Sequence, residues 1–236
     1  MTEPTDSANV APADGLSTAA DPSGAAFAYT LSEPEGPQLA PGLAPTLAAW
    51  REMLIQQGLI NLTSSFEMAH AYGSLSVRDP DSAIAFTMAP PGGTETFAER
   101  QLLRIQGYNL ERSWVEATGL EPPSVDTLLH AALYAADSRI QWVFQCRSEA
   151  LAEELDTLGI PIVGPRVDED PEAPLPAWAR TLRLLNENRS RPLVLAIPGR
   201  TASIFACGTT ARDAGGLLLV YLARALEQRF QRLLPG

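Results

Sequence analysis

Apolar and polar positions follow two rhythms along this chain, and each switch of rhythm marks an element. Ala48, Trp50, Met53, Leu54, Gln57 and Leu59 follow a helical spacing that stops at Gly58. YGSLSVRD is a glycine-led entry to a short strand. AIAFTM is a second strand, ended by Pro90, Pro91, Gly92 and Gly93. LLRIQGYNLERSWVEA reads as two further strands joined at a turn around Asn109. Residues 125–135 form a helix with Ser124 at its N-cap, 140–144 a buried strand, and 149–158 a helix closed by Gly159. A polar, proline-rich loop leads to a helix at 177–186. PLVLAI and ASIFAC are strands on either side of Pro198, Gly199 and Arg200. Thr209 caps a long final helix that runs to residue 234. The interleaving of strands and helices predicts one layered α/β domain over residues 46–236.

Residues 1–45 break the pattern. They are rich in Ala, Pro, Ser, Thr and Gly and hold six acidic residues (Glu3, Asp6, Asp14, Asp21, Glu33, Glu35) and no basic one. Such a segment buries too little to offset its ordering entropy, so it reads as a disordered acidic tail. One short patch within it, FAYTL at 27–31, has the apolar content to dock on the body.

Charge and composition narrow the function. The net charge is −11, and the tail carries −6 of it. Nucleic-acid binding and polybasic membrane contact both need a basic footprint, so neither is expected. No apolar run approaches the roughly 18 residues of a spanning helix, and no secretory signal is visible. Two cysteines cannot build a disulfide framework. The expected compartment is the cytoplasm.

The candidate chemistry lies in PPSVDTLLHAALYAADSRIQWVFQCRS, residues 122–148. Asp126 opens an amphipathic helix, His130 follows one turn later, and a strand then delivers Gln145, Cys146, Arg147 and Ser148. This arrangement resembles the core of the class II aldolase/adducin family, which reads P-S-S-E-x-x-x-H in the helix and H-x-H-S after the strand. The resemblance runs in order from about residue 47 to 226. GSLSVRD matches the family's G-N-x-S-x-R strand, with Ser74 in place of Asn. APPG at 89–92 matches its phosphate-cradling T-P-S-G turn, with Pro91 in place of the hydroxyl residue. ASIFACG matches its late H-G-V strand and puts Ala202, or in a shifted register Arg200, at the third metal histidine. The family implies a three-layer α/β/α sandwich with a central mixed, mostly antiparallel sheet, commonly in a homo-oligomer.

It also implies a divalent metal held by histidines, and here the residue types argue against one. Gln145 and Arg147 occupy the two strand-ligand positions, and arginine cannot deprotonate to become a ligand. The chain holds two histidines where that site needs three. No metal and no cofactor are expected.

Asp126 sits at the family's acid/base position, and also where any first-turn acid complements the helix dipole. Arg147 either pairs with Asp126 or receives a small anion in its planar fork. Ser74, Gln145, Arg147 and Arg200 are the candidate ligand-binding residues. His130, on an apolar face, reads as a satisfied core histidine. Alternation turns Cys146 away from the site, and counting from Ala202 does the same for Cys207. Two functions fit these residues. One is a non-catalytic pseudo-aldolase serving as an oligomeric scaffold or ligand-binding protein. The other is a metal-free lyase or isomerase that uses Asp126 and Arg147.

Overall fold

Nine strands pair into one sheet among the residues that the computed structural model describes, which are 17–20, 26–33, 39, 42–61, 72–89, 102–163, 193–197 and 202–234. The strands are β1 (Ser17–Ala20), β2 (Ala26–Ser32), β3 (Ser74–Arg78), β4 (Phe86–Ala89), β5 (Leu103–Asn109), β6 (Trp114–Thr118), β7 (Trp142–Arg147), β8 (Leu193–Ile197) and β9 (Ser203–Gly208). The helices are α1 (Leu43–Gln56), α2 (Val125–Ala136), α3 (Glu149–Glu153) and α4 (Ala211–Leu233). The sheet order is β1-β2-β6-β5-β4-β3-β7-β9-β8. Every strand pair is antiparallel except β2 with β6.

Side-chain alternation divides the core into two layers. Leu75, Phe144, Cys146 and Ala206 face one way and meet α1, α3 and α4 through Leu47, Leu54, Leu151, Ala214 and Leu218. Met88, Val143, Leu195, Phe205 and Cys207 face the other way and meet α2 through Leu129, Ala132 and Leu133. The result is the expected three-layer sandwich with a mostly antiparallel sheet.

Close approach on the first side depends on Gly215 in α4. A Cβ there would lie 2.3 Å from Trp50 Cζ3 and 2.7 Å from Phe144 Cε2. Those two rings pack edge-on, with centroids 5.6 Å apart. On the second side β3 presents polar residues to α2, namely Ser74, Ser76 and Arg78. Arg78 is buried, and its guanidinium donates to four carbonyls: Ile140 (2.9 Å), Ala83 (2.6 Å), Tyr134 (2.8 Å) and Asp137 (3.3 Å). It also lies over the Tyr134 ring, 4.7 Å from its centroid. The last turn of α2 has no basic residue, so Arg78 supplies from a neighbouring strand the positive charge that a helix C-terminus favours.

Several expectations need correction. The disordered reading of residues 1–45 fails for β1 and β2. The FAYTL patch lies within β2, which docks parallel to β6 in a register from Ala28↔Trp114 to Ser32↔Thr118. The cap of α4 is Thr210, not Thr209. Thr210 Oγ1 accepts from the Asp213 N–H (3.1 Å), and Asp213 accepts from the Thr210 N–H in return (3.0 Å). Thr209 supports the box by donating to Asp213 Oδ2 (2.7 Å). The hydrogen bonds from Thr209 and Thr210 hold the Asp213 carboxyl below its usual range. Ser124 does occupy the N-cap of α2, but its buried hydroxyl makes no capping bond. α3 ends at Glu153, short of the predicted 158, with Gly159 in the left-handed region beyond it. β7 runs on to Arg147, because residues 145–147 pair with Phe205, Ile204 and Ser203 of β9. The predicted helix at 177–186, the turn at 90–93, His70 and Arg200 lie outside the described residues.

Candidate functional site

The site grows from the polar face of β3. Ser74 is paired with Gln145 across the β3–β7 ladder, and both side chains are fully buried beneath α2. His130 and Tyr134, one helical turn apart on α2, come down onto this seam. Ser74 Oγ donates to Gln145 Oε1 (2.7 Å) and lies 2.9 Å from His130 Nε2. Ser76 Oγ lies 2.7 Å from His130 Nδ1 and 2.8 Å from Tyr134 Oη.

Proton counting gives this chain of hydrogen bonds a direction. Ser74 spends its single proton on Gln145, so it must accept from His130 Nε2–H. A neutral imidazole then has an acceptor at Nδ1, which takes the Ser76 proton. Ser76 Oγ in turn accepts from Tyr134. The order is Tyr134 to Ser76 to His130 to Ser74 to Gln145, with one donor and one acceptor at each joint.

His130 is therefore the satisfied core histidine that the sequence suggests. It is fully buried, with the Phe205 ring edge-on at 5.8 Å. Burial pushes its pKa down to about 3, and an interaction with Gln145 acts the other way. The same burial raises the Tyr134 hydroxyl well above its ordinary range. A serine beside a histidine suggests a nucleophile. Ser74 spends its proton on Gln145 and both His130 nitrogens are engaged by serines, so this pair is not set as nucleophile and base.

The depressed pKa has a consequence for stability. An unfolded histidine protonates near pH 6.5, whereas folded His130 stays neutral down to about pH 3. Between those values the unfolded state binds the extra proton. This contribution is complete above pH 6.5 and is lost as the pH falls toward 3, at up to about 1.4 kcal/mol per pH unit. Urea unfolding at pH 7 and pH 5 is expected to show that slope in the wild type and a shallower one in His130→Asn. Equal slopes would refute the assignment.

Gln145 and Arg147 point to the same side as Val143, toward the α2 layer. The Gln145 Nε2 and Arg147 Nε atoms are both buried and have no hydrogen-bond partner among the described residues. The Arg147 guanidinium lies 6.0 Å from the centroid of the Tyr72 ring. Asp126 is part-exposed in the first turn of α2, one turn before His130. The expected Asp126–Arg147 pair is not among the ion pairs found between described residues, which include Arg104–Asp79, Arg139–Asp137 and Arg232–Glu154. Tyr72, held beside β3 by its bridge to Asn61, takes the Arg147 guanidinium instead.

Cys146 faces the opposite layer, as alternation predicts, and burial pushes its thiol up to about 12. Cys207 does not. It pairs with Val143 and lies on the α2 side, while Ala202 packs against the other layer. Parity along β9 is regular, and the error was in the face assigned to Ala202. Residue types alone also missed Ser76, Tyr134 and Arg78. The signals that could have found them are the alternation of Ser74, Ser76 and Arg78 and the one-turn spacing of His130 and Tyr134.

A divalent metal does not fit the described residues of this seam. The unbonded end of the Gln145 amide is a donor nitrogen, Arg147 offers only donors, and both His130 nitrogens are engaged by serines. No three His, Cys, Asp or Glu side chains converge among the described residues.

Fold and seam together place the chain in the class II aldolase/adducin-like fold. The L-fuculose 1-phosphate aldolase of Glaciozyma antarctica PI12 superposes with a TM-score of 0.54 at 16% identity, over 81% of this chain and 72% of that one. The l-fuculose-1-phosphate aldolase of Thermus thermophilus gives 0.52 at 20% identity, over 81% and 95%. An aldolase II superfamily protein of Pseudomonas syringae gives 0.54 at 16%, over 81% and 76%. At these identities the likeness is one of fold. No family model and no curated protein matches the sequence. No helix among the described residues is long and apolar enough to cross a membrane.

Proposed function

We propose that this chain is a non-catalytic protein of class II aldolase fold that binds a small anionic ligand, a carboxylate or phosphate, at Gln145 and Arg147. One observation carries the reading. The buried Gln145 Nε2 and Arg147 Nε, two strand positions apart on one face, are both donors without partners among the described residues. An unpaired buried donor costs about 1–3 kcal/mol, and an oxygen ligand seated there would recover it. The same donors repel a cation. His130, buried and doubly bonded, offers no base for catalysis.

Thermal denaturation with a panel of small carboxylates and phosphates tests this. A ligand at a hundred times its Kd stabilises by about 2.7 kcal/mol. For a chain of this size that is a rise of roughly 5–10 °C. Arg147→Leu should abolish the shift, and silence across the panel would overturn the reading.

A second reading, a metal-free lyase or isomerase, draws on Arg147, whose guanidinium joins no ion pair among the described residues. Asp126 would then serve as base and Arg147 would hold the oxyanion. Asp126→Asn separates the two readings. Ligand binding survives it under the first, and a catalysed reaction is lost under the second.

A further inference from the structure

The direction of the buried hydrogen-bond chain has a consequence for what the site accepts. Tyr134 Oη has two oxygens to choose from, Ser76 Oγ at 2.8 Å and the Gln141 carbonyl at 3.5 Å. A hydroxyl donates well only within about 3.0 Å, so the Tyr134 proton goes to Ser76. Ser76 must then donate to His130 Nδ1, which places the ring proton on Nε2. That proton goes to Ser74, whose own proton is left for the side chain of Gln145. An amide can receive it only on oxygen. Reasoning from the tyrosine end thus predicts that the Gln145 oxygen faces Ser74, which is the orientation found. The amide nitrogen is left turned away from Ser74 and without a partner among the described residues.

We infer that Ser76 and Tyr134 are specificity-determining positioning residues. Through His130 and Ser74 they hold the Gln145 amide with its nitrogen toward the ligand, so the site takes acceptor oxygens and rejects donor groups. The ligand part of this inference rests on the proposed function. The amide orientation does not.

Reversing the amide would require every joint to reverse. The ring proton would move to Nδ1, Ser76 would donate to Tyr134, and the tyrosine proton would be left with a carbonyl at 3.5 Å. The tautomer of His130 is therefore a direct reading of how Gln145 points. Neither Ser76 nor Tyr134 needs to touch the ligand.

Long-range nitrogen-15 NMR of the full chain at pH 7 tests this. A His70→Gln background leaves His130 as the sole imidazole. The expected spectrum is a neutral ring protonated at Nε2. A ring protonated at Nδ1, or one exchanging between both forms, overturns the inference. Ser76→Ala cuts the chain between tyrosine and histidine. It is expected to mix the tautomers and weaken glycolate and inorganic phosphate binding at least fivefold. Mixed tautomers with unchanged affinity would show that the orientation does not set specificity. If neither probe binds the wild type, the proposed function falls, while the Nε2-protonated ring still decides the positioning claim. The wild-type spectrum decides that claim even if Ser76→Ala fails to fold.

Discussion

Arg78→Ala is expected to lower the unfolding free energy by about 3–5 kcal/mol, a large share of what a domain possesses. The residue has little exposed surface, and its guanidinium serves four carbonyls drawn from three places: the turn after β3, the end of α2 and the start of the approach to β7. Truncation removes every donor at once and leaves the oxygens in a site with little access to water. Each unsatisfied buried acceptor costs about 1–3 kcal/mol, reduced wherever a water can enter. The α2 C-terminus also loses the cation that serves its last carbonyls, and Tyr134 loses the cation above its ring. Urea denaturation provides the measurement. Arg78→Met keeps most of the apolar stem and should lose nearly as much as alanine, because the carbonyls rather than the stem carry the effect. A loss below about 1 kcal/mol in both variants would mean that these carbonyls find other partners.

Gly215→Ala is the second large effect, and its sign is opposite to the usual rule. Alanine in a helix interior is normally better than glycine by about 1 kcal/mol. Here the added methyl would lie 2.3 Å and 2.4 Å from Trp50 and 2.7 Å from Phe144. Both obstacles are rigid rings packed on each other. The helix must move off the sheet, and an overpacking cost of about 3 kcal/mol outweighs the propensity gain by about 2 kcal/mol. For a chain of this size that lowers Tm by roughly 4–8 °C. The neighbouring glycine provides an internal control. A Cβ at Gly216 meets nothing within 4 Å, so Gly216→Ala should raise Tm slightly. If the two substitutions behave alike, the contact at Gly215 is not what limits the helix.

The layered fold was legible because it depends on local rhythm. SLSVR alternates, and its Leu75 and Val77 do enter the layer shared with α1 and α4. What alternation cannot say is which helix covers the other face. Ser74 and Ser76 meet His130 across 56 and 54 residues, through strand order that no local pattern encodes. The same limit explains the Asp126–Arg147 pair. Family spacing places both residues near one cavity, but the ring that takes the guanidinium comes from Tyr72, on a different segment. Composition misled in the first 45 residues. Averaged over the tail, Ala, Pro and acids hide seven residues, AFAYTLS, with strand character and an available sheet edge. That Arg147 is no metal ligand was readable from residue identity alone, since a guanidinium has no lone pair to offer. The orientation of the Gln145 amide, oxygen toward Ser74, was not readable, because it is set by hydrogen bonds that only the folded register creates.

The parallel docking of β2 has a consequence in time. Ser32 and Thr118, joined by a 2.8 Å hydroxyl contact, are 86 residues apart in the chain. At about 5–20 residues per second, a ribosome makes β2 roughly 4–17 s before it makes β6. Parallel pairing admits no hairpin shortcut, so β2 has no partner on that edge until the β5–β6 hairpin exists. A strand made early is thus among the last to close, and for those seconds its fate rests with whatever else in the cell binds an unpaired strand.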